Sequence, residues 1–267
     1  MAHLKLCFAP KCAPCRHRMV AAFFAACLIW PIASPWAQEG DDANDPLEPV
    51  NRVVFQFNQV VDGLVLKPVA QLYEFVLPKF ARTGVRNFLD NLKAPVIFAN
   101  DVLQGETDRA GVTLSRFMIN SSLGLFGTWD FAARLGYPKH SEDFGQTLAV
   151  YGVGPGPYLV LPILGPSSPR DAAGLAVDAF VIDPVPYFIT DEQQIIRYLT
   201  DLVSTRAQLL PVTDDLEANS IDLYASYRTV YRQRRESLIY NGSPPQDDTY
   251  EDIFSDDAFD EADEETP

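Results

Sequence analysis

The chain has 267 residues and a formal charge of −15, but eleven of its acids and no base fall in 242–267, while four bases and no acid fall before residue 38. The stretch between them, 38–241, carries 25 acids and 17 bases, a net −8 that makes nucleic acid a poor partner. All four cysteines (Cys7, Cys12, Cys15 and Cys27) precede residue 28 and a single histidine, His140, follows the N-terminal segment, which excludes most metal and nucleophile chemistry from the body.

The first 37 residues combine Lys5, Lys11, Arg16 and Arg18 with an apolar run from Met19 to Ile32 and a small-residue exit. That order describes a secretory signal peptide. The run is too short for a spanning helix, which needs about 20 apolar residues. Cleavage after Ala37 uses the whole apolar core and is the expected route, although it leaves Pro35 at the −3 position. The alternative removes 1–26 and acylates Cys27, in the weak lipobox Phe24-Ala-Ala-Cys27. Cys12-x-x-Cys15 with His17 has half the ligands of a zinc site; lacking a second pair, it reads as part of the discarded segment.

Beyond a polar lead-in, Pro46 suits the first turn of a helix, where its missing N–H costs nothing. Val50, Val53, Val54, Phe57, Val61 and Leu64 follow at helical spacing, with Asn51, Arg52, Gln59 and Asp62 on the other side. Further helices are expected at 67–78, 84–93, 95–104 and 107–121, broken at Pro68, Pro78, Pro95 and Gly105. Pieces this short need packing on something apolar to stay helical. The middle, 122–190, is rich in glycine and proline, and Tyr158 to Leu164 reads as a strand or as a buried or membrane-facing extended segment. Thr190-x-x-Gln193 is a capping box opening a helix that Pro211 is expected to stop. A last helix is expected over 214–238, with Arg228, Arg232, Arg234 and Arg235 near its end. The residues from 242 on read as a disordered acidic tail, a solubilising segment or a docking segment for a partner.

The chemistry expected of an enzyme is missing. No Gly-x-Ser-x-Gly elbow accompanies His140, which reads as an exposed loop residue in Pro-Lys-His-Ser-Glu. Gly152-x-Gly-x-Gly156 lacks the Lys-Ser/Thr of a phosphate loop, and Pro155 and Pro157 remove amides that such a loop would offer, so it reads as a rigid turn. No catalytic residue, metal ligand or cofactor is assigned.

Five segments nevertheless stand together. Asp45-Pro-Leu-Glu-Pro-Val-Asn-Arg52 with Phe55-x-Phe57-Asn58, Asn91-Leu92 to Leu103-Gln-Gly105, Arg116-Phe-Met-Ile-Asn120, Asp143-Phe-Gly-Gln-Thr through Tyr158, and Thr205-Arg-Ala-Gln-Leu-Leu210 resemble the MlaA (VacJ) family of outer-membrane phospholipid-transport proteins. The resemblance covers 45 to about 240 and makes 38–241 one domain of that type. It implies a mainly α fold: a ring of short amphipathic helices lying in the inner leaflet of a bacterial outer membrane around an amphipathic channel. It also implies removal of misplaced phospholipid from the outer leaflet, association with a trimeric porin, and transfer to a periplasmic lipid carrier. The family's usual anchor is an acylated cysteine, and the weak lipobox at Cys27 departs from that pattern. A channel polar on one side would lower the cost of taking an ionised headgroup through hydrocarbon, on the order of tens of kcal/mol.

Charges set within apolar stretches are the candidates for the lipid path: Arg170, Asp171, Asp178, Asp183 and Arg206. The competing reading makes Asp171 a helix cap and sends the others to the surface. A different class of function, a secreted surface or adhesion protein without transport activity, stays open at this point.

Overall fold

The computed structural model describes residues 45–243. The two N-terminal processing routes, Cys27 and the acidic tail beyond 243 lie outside the described residues. Contacts divide the chain into two compact units, one ending at Val212 and the other beginning at Thr213.

The first unit is built almost wholly of helices. They are α1 (Glu48–Val61), α2 (Lys67–Val76), α3 (Lys79–Gln104), α4 (Thr107–Ser122), the short α5 (Phe131–Arg134), α6 (Phe144–Val150), α7 (Pro169–Val177) and most of α8 (Asp191–Asn219). Two π-helical segments, Asp62–Leu66 after α1 and Asp178–Ile182 after α7, each open on an aspartate. Between α6 and α7 lies one antiparallel hairpin, β1 (Leu159–Leu161) with β2 (Gly165–Ser167), pairing Val160 with Pro166. The extended segment at 158–164 is therefore half strand, half turn, with Ile163 in the left-handed region at φ 68°.

Local chemistry accounts for most boundaries. Asp130, Asp143 and Ser168 accept the N–H groups of Ala133, Gln146 and Asp171, capping α5, α6 and α7. The capping box at α8 forms in both directions: Thr190 N–H donates to Gln193 Oε1 at 3.0 Å and Gln193 N–H to Thr190 Oγ1 at 3.3 Å. Pro46 lies ahead of α1, and Pro49 takes the early-helix position instead.

Three expected breaks do not occur: the chain stays helical through Pro68, from Glu48 to Val76, by way of the first π-helical segment. Pro95 lies inside α3 and Pro211 inside α8. A proline removes one intrahelical bond at a cost of about 3 kcal/mol. Tertiary bonds on both sides of Pro95 offset it: Asn91 donates to Ser121 Oγ at 2.9 Å, and Asn100 donates to Asp178 Oδ1 at 2.9 Å. At Pro211 the preceding turn is fixed by packing, because Leu210 and Ala207 are buried with Ala70 and Tyr73 of α2. Across 79–104 the expected pair of helices is thus one helix.

Two glycines are required by space. A Cβ on Gly174 of α7 would lie 2.3 Å from the backbone nitrogen of Gly145 in α6, so these helices meet backbone to backbone. Gly127 has φ 95°, and its Cβ would strike Asn91 at 2.4 Å.

The second unit contributes the end of α8 and α9 (Leu223–Ile239), which Asp222 caps through Ala225 N–H. The helix expected over 214–238 is interrupted at 220–222, and Leu216 belongs to α8. Arg234 is exposed, whereas Arg232 and Arg235 are partly buried.

The orientation of α1 is the main departure from the usual pattern of a helix on a core. Asn51 is only 2% exposed, while Val50, Val53, Phe57, Val60 and Leu64 face outward. Asn51 donates to Tyr158 O at 2.9 Å and to Asp45 Oδ1 at 2.8 Å, and its own oxygen accepts Val160 N–H at 3.0 Å. Two turns on, Asn58 donates to Leu161 O at 2.9 Å and accepts Ile163 N–H at 2.7 Å. Two amide side chains on one face of α1 thus satisfy the open edge of β1. Asn51→Ala removes its two buried hydrogen bonds, to the Tyr158 carbonyl and from the Val160 N–H, at about 1–3 kcal/mol each. The expected outcome is a thermal midpoint lower by roughly 5–10 °C; a midpoint within about 2 °C of wild type would contradict this role.

Candidate functional site

Exposed apolar side chains are not confined to α1. Phe75 at the end of α2 is 88% exposed and Phe80 at the start of α3 is 80% exposed, with Leu72 and Val76 beside them in sequence. The turn after α4 presents Leu123, Leu125, Phe126 and Trp129, with Leu125 and Phe126 themselves at positive φ. Soluble monomers rarely leave large apolar surface uncovered. No helix of the described residues is long and apolar enough to cross a membrane.

Much of the interior is polar. Asn100 and Asp101, near the C-terminal end of α3, have no exposed surface. Asn100 donates to Asp178 Oδ1, whose second oxygen accepts Phe144 N–H at 2.9 Å. Thr147 of α6 donates to Asn100 Oδ1 at 2.8 Å, and Gln104 donates both to Thr147 at 3.2 Å and to Glu142 Oε2 at 3.0 Å. Arg109 pairs with the other oxygen of Glu142. Asp101 accepts from Thr113 at 2.6 Å, and His140 Nε2 lies 3.1 Å from Asp101 and 3.0 Å from Thr113. The lattice joins α3, α4, α6 and the π-helical segment after α7 through side chains that are each other's partners. Buried networks of this kind stabilise to the extent that they are satisfied, and here Arg109 Nε is left without a partner.

A second cluster fastens α4 to α5. Arg116 donates to Tyr137 O at 2.6 Å and to Asp130 at 2.8 Å, and Asn120 donates to Asp130 at 3.0 Å while accepting Ala132 N–H at 3.0 Å. Burial by itself raises the Asp130 pKa, but bonds from Arg116, Asn120 and the Ala133 N–H outweigh it and hold the carboxyl below its ordinary range. Glu142 shows the opposite balance. Its burial pushes the carboxyl above the ordinary range despite bonds from Gln104 and Arg109, and the nearby Asp101 charge adds to the rise.

The five charges expected in the lipid path are all engaged within the protein. Arg170 is buried and meets Asp171 at 3.0 Å and Val153 O at 3.3 Å. Asp178 belongs to the lattice. Asp183 accepts Val185 N–H at 3.0 Å and pairs with Arg197 at 2.7 Å. Arg206 makes a two-pronged pair with Asp62, at 2.6 and 2.7 Å. Asp62 and Asp178, the two aspartates that open π-helical segments, thus each anchor a neighbouring element. Ser168, not Asp171, caps α7. His140 is not the exposed loop residue the sequence suggests: its side chain is only 12% exposed, held by Asp101 and Thr113. Asn51, Asn58, Asn100, Gln104 and Thr147 were not singled out from sequence as site residues. The available signal was polar residues inside apolar runs, as in Val96-Ile-Phe-Ala-Asn-Asp-Val102.

Residues 145–147 and 51 show what the motif segments do physically. Asp143 caps α6, Gly145 meets Gly174, Gln146 donates to Asp143 and Ser141, and Thr147 enters the lattice. The short motifs are largely the polar interior itself.

A helical chain that satisfies its polar groups inward and turns valine, leucine and phenylalanine outward has the arrangement of a protein that meets lipid along one face. Comparisons with known proteins identify its family. The chain belongs to the MlaA lipoprotein family, whose model matches residues 43–238. It is 36% identical over 223 residues to the intermembrane phospholipid transport system lipoprotein MlaA of Escherichia coli, covering 81% of this chain and 87% of that one. The protein of the same name from Haemophilus influenzae is 34% identical over 204 residues, covering 75% and 81%. A solved structure, described as the structural basis for maintenance of bacterial outer membrane lipid asymmetry, superposes with a TM-score of 0.66 at 35% identity. The match covers 73% of this chain and 98% of that one.

The raised pKa of Glu142 carries a pH dependence. An acid whose folded pKa exceeds its unfolded value contributes stability below about 4.5 and loses it as pH rises through the folded value. The melting difference between Glu142→Gln and wild type should therefore move in favour of the variant as pH rises from 4 to 8. A difference that stays flat, or moves towards wild type, would contradict the burial of this carboxyl.

Proposed function

We propose that this protein is the outer-membrane component of an intermembrane phospholipid transport system. It takes phospholipid mislocalised to the outer leaflet, passes the headgroup through an amphipathic channel within a ring of helices, and delivers the lipid to a periplasmic carrier, thereby maintaining lipid asymmetry. It acts from the inner leaflet and periplasmic face of the outer membrane, beside a trimeric porin, and has no catalytic role. The observation that carries this reading is the reversed polarity of α1 and its neighbours, which puts bonded polar groups inward and bare apolar side chains outward. Family membership and the names of the relatives support it.

Within this reading, Arg170, Asp171, Asp178, Asp183 and Arg206 belong to the wall of the path. Their pairing lets them shape a polar surface without presenting bare charge to an acyl chain. The family's description as lipoproteins favours Cys27 as the anchor over cleavage after Ala37. One acyl chain binds a membrane only marginally, so the apolar face supplies the rest of the attachment. Intact-mass measurement of the mature N-terminus is expected to show an acylated Cys27; an N-terminal Gln38 would overturn that choice.

In a strain lacking the gene, outer-leaflet phospholipid accessible to added phospholipase is expected to rise and to return to normal on complementation. Unchanged accessibility, with the mature protein recovered soluble and lipid-free, would favour the surface-protein alternative. The double variant Phe75→Gln/Phe80→Gln is expected to keep its thermal midpoint, because both rings are exposed, yet to associate several-fold less with phospholipid vesicles. Equal vesicle binding would remove these rings from the lipid-facing surface.

A further inference from the structure

The junction of α2 and α3 forms an open concavity of about 280 Å³ against α8, lined by Tyr73, Glu74, Lys79, Arg82, Arg86 and Gln208 among others. Three bases and one acid give its wall a charge of +2, in a body that is otherwise net acidic. Arg82 pairs with Glu74, and Arg86 Nη1 donates to Gln208 Oε1 at 3.0 Å. Three further polar atoms in this wall, Tyr73 Oη, Arg82 Nε and Arg86 Nε, are buried without a hydrogen-bond partner. Buried donors are ordinarily satisfied, so these three leave bonding capacity on the residues of this wall that the protein itself does not use. Lys79 is the first residue of the 26-residue α3, whose positive dipole end adds to the same potential. Pro78 at its N-cap offers no side-chain acceptor.

The surroundings indicate which acceptor. Leu72, Phe75, Val76 and Phe80, in the same segment, are exposed. The volume lies just below the roughly 300–1,000 Å³ of sites that engulf a drug-sized ligand, so it suits a headgroup and leaves acyl chains outside. A phosphodiester held by guanidinium groups with hydrocarbon lying over neighbouring phenylalanines is the arrangement that satisfies both halves.

We propose that this concavity is a holding site for the phosphate of a phospholipid headgroup, with preference for a net anionic headgroup over a zwitterionic one. The proposal rests on the phospholipid-transport reading and adds to it a specific station and a headgroup class.

The test is titration of the full mature protein in detergent with dihexanoyl phosphatidylglycerol, dihexanoyl phosphatidylethanolamine, dihexanoylglycerol and inorganic phosphate. Wild type is compared with Lys79→Gln/Arg86→Gln and with Lys79→Gln alone, whose side chain is exposed and whose removal leaves the fold intact. The expected result is tightest binding of phosphatidylglycerol, at least tenfold weaker in the double variant and a few-fold weaker in the single one, with reduced salt dependence in both. Unchanged affinity in both variants would overturn the site while leaving the transport reading standing. Inorganic phosphate binding as tightly as the lipid would reassign the site to free phosphate. Dihexanoylglycerol binding as tightly would remove the phosphate from the account, and equal affinity for the two phospholipids would remove the charge preference. A wild-type protein that binds no phospholipid at all would sink this proposal and the transport reading together.

Discussion

The architecture depends on the bonds that Asn51 and Asn58 make to the backbone of the hairpin. A helix with valine, phenylalanine and leucine on one side normally turns that side to the core. Here the amides of α1 face the protein and complete the edge of β1, so the apolar side is left outside. The exchange is costly in water, where bare apolar area gains nothing. Against lipid the cost disappears, because hydrocarbon outside is as good a neighbour as hydrocarbon inside.

With the polar side chains turned inward, the interior must satisfy itself. Asn100, Asp101, Thr113, Glu142, Thr147 and Asp178 do so by bonding to one another, and Arg116, Asn120 and Asp130 do so separately. Conventional core is correspondingly thin; the cluster of Ala70, Ala207 and Leu210 is an example of how small the apolar contacts are. A lattice of mutual donors and acceptors is directional, unlike apolar packing, and fixes which helix meets which. The ion pairs Arg206–Asp62 and Arg197–Asp183 belong to the same design, holding long charged side chains in place rather than offering them to solvent.

Much of this was legible in the sequence, for stated reasons. Helical spacing located α1, α2, α4 and α8, and the capping box at Thr190 was readable because four side-chain and backbone groups report on one another. The short motifs that carry the family resemblance contain part of the lattice, Asn100, Asp101, Gln104 and Thr147. Three things were not legible. Helices through Pro95 and Pro211 depend on tertiary bonds that offset a local penalty, and local rules count only the penalty. The direction of α1 was hidden because periodicity gives two faces without saying which one is buried. The burial of His140 and the pairing of Asp178, Asp183 and Arg206 depend on partners 14 to 144 residues away in the chain.

The reversed polarity of α1 is the claim on which everything else depends, and one measurement addresses it directly. The described region contains no cysteine, so Val53→Cys, Phe57→Cys and Leu64→Cys each give a single site for a nitroxide label. With the protein in phospholipid vesicles, collision rates with oxygen and with a water-soluble nickel chelate report which solvent each label meets. The account predicts high oxygen and low nickel accessibility at all three positions, repeating with the helical period. Labels that collide freely with the nickel chelate at these positions would show that this face meets water, and the lipid-facing arrangement would be wrong.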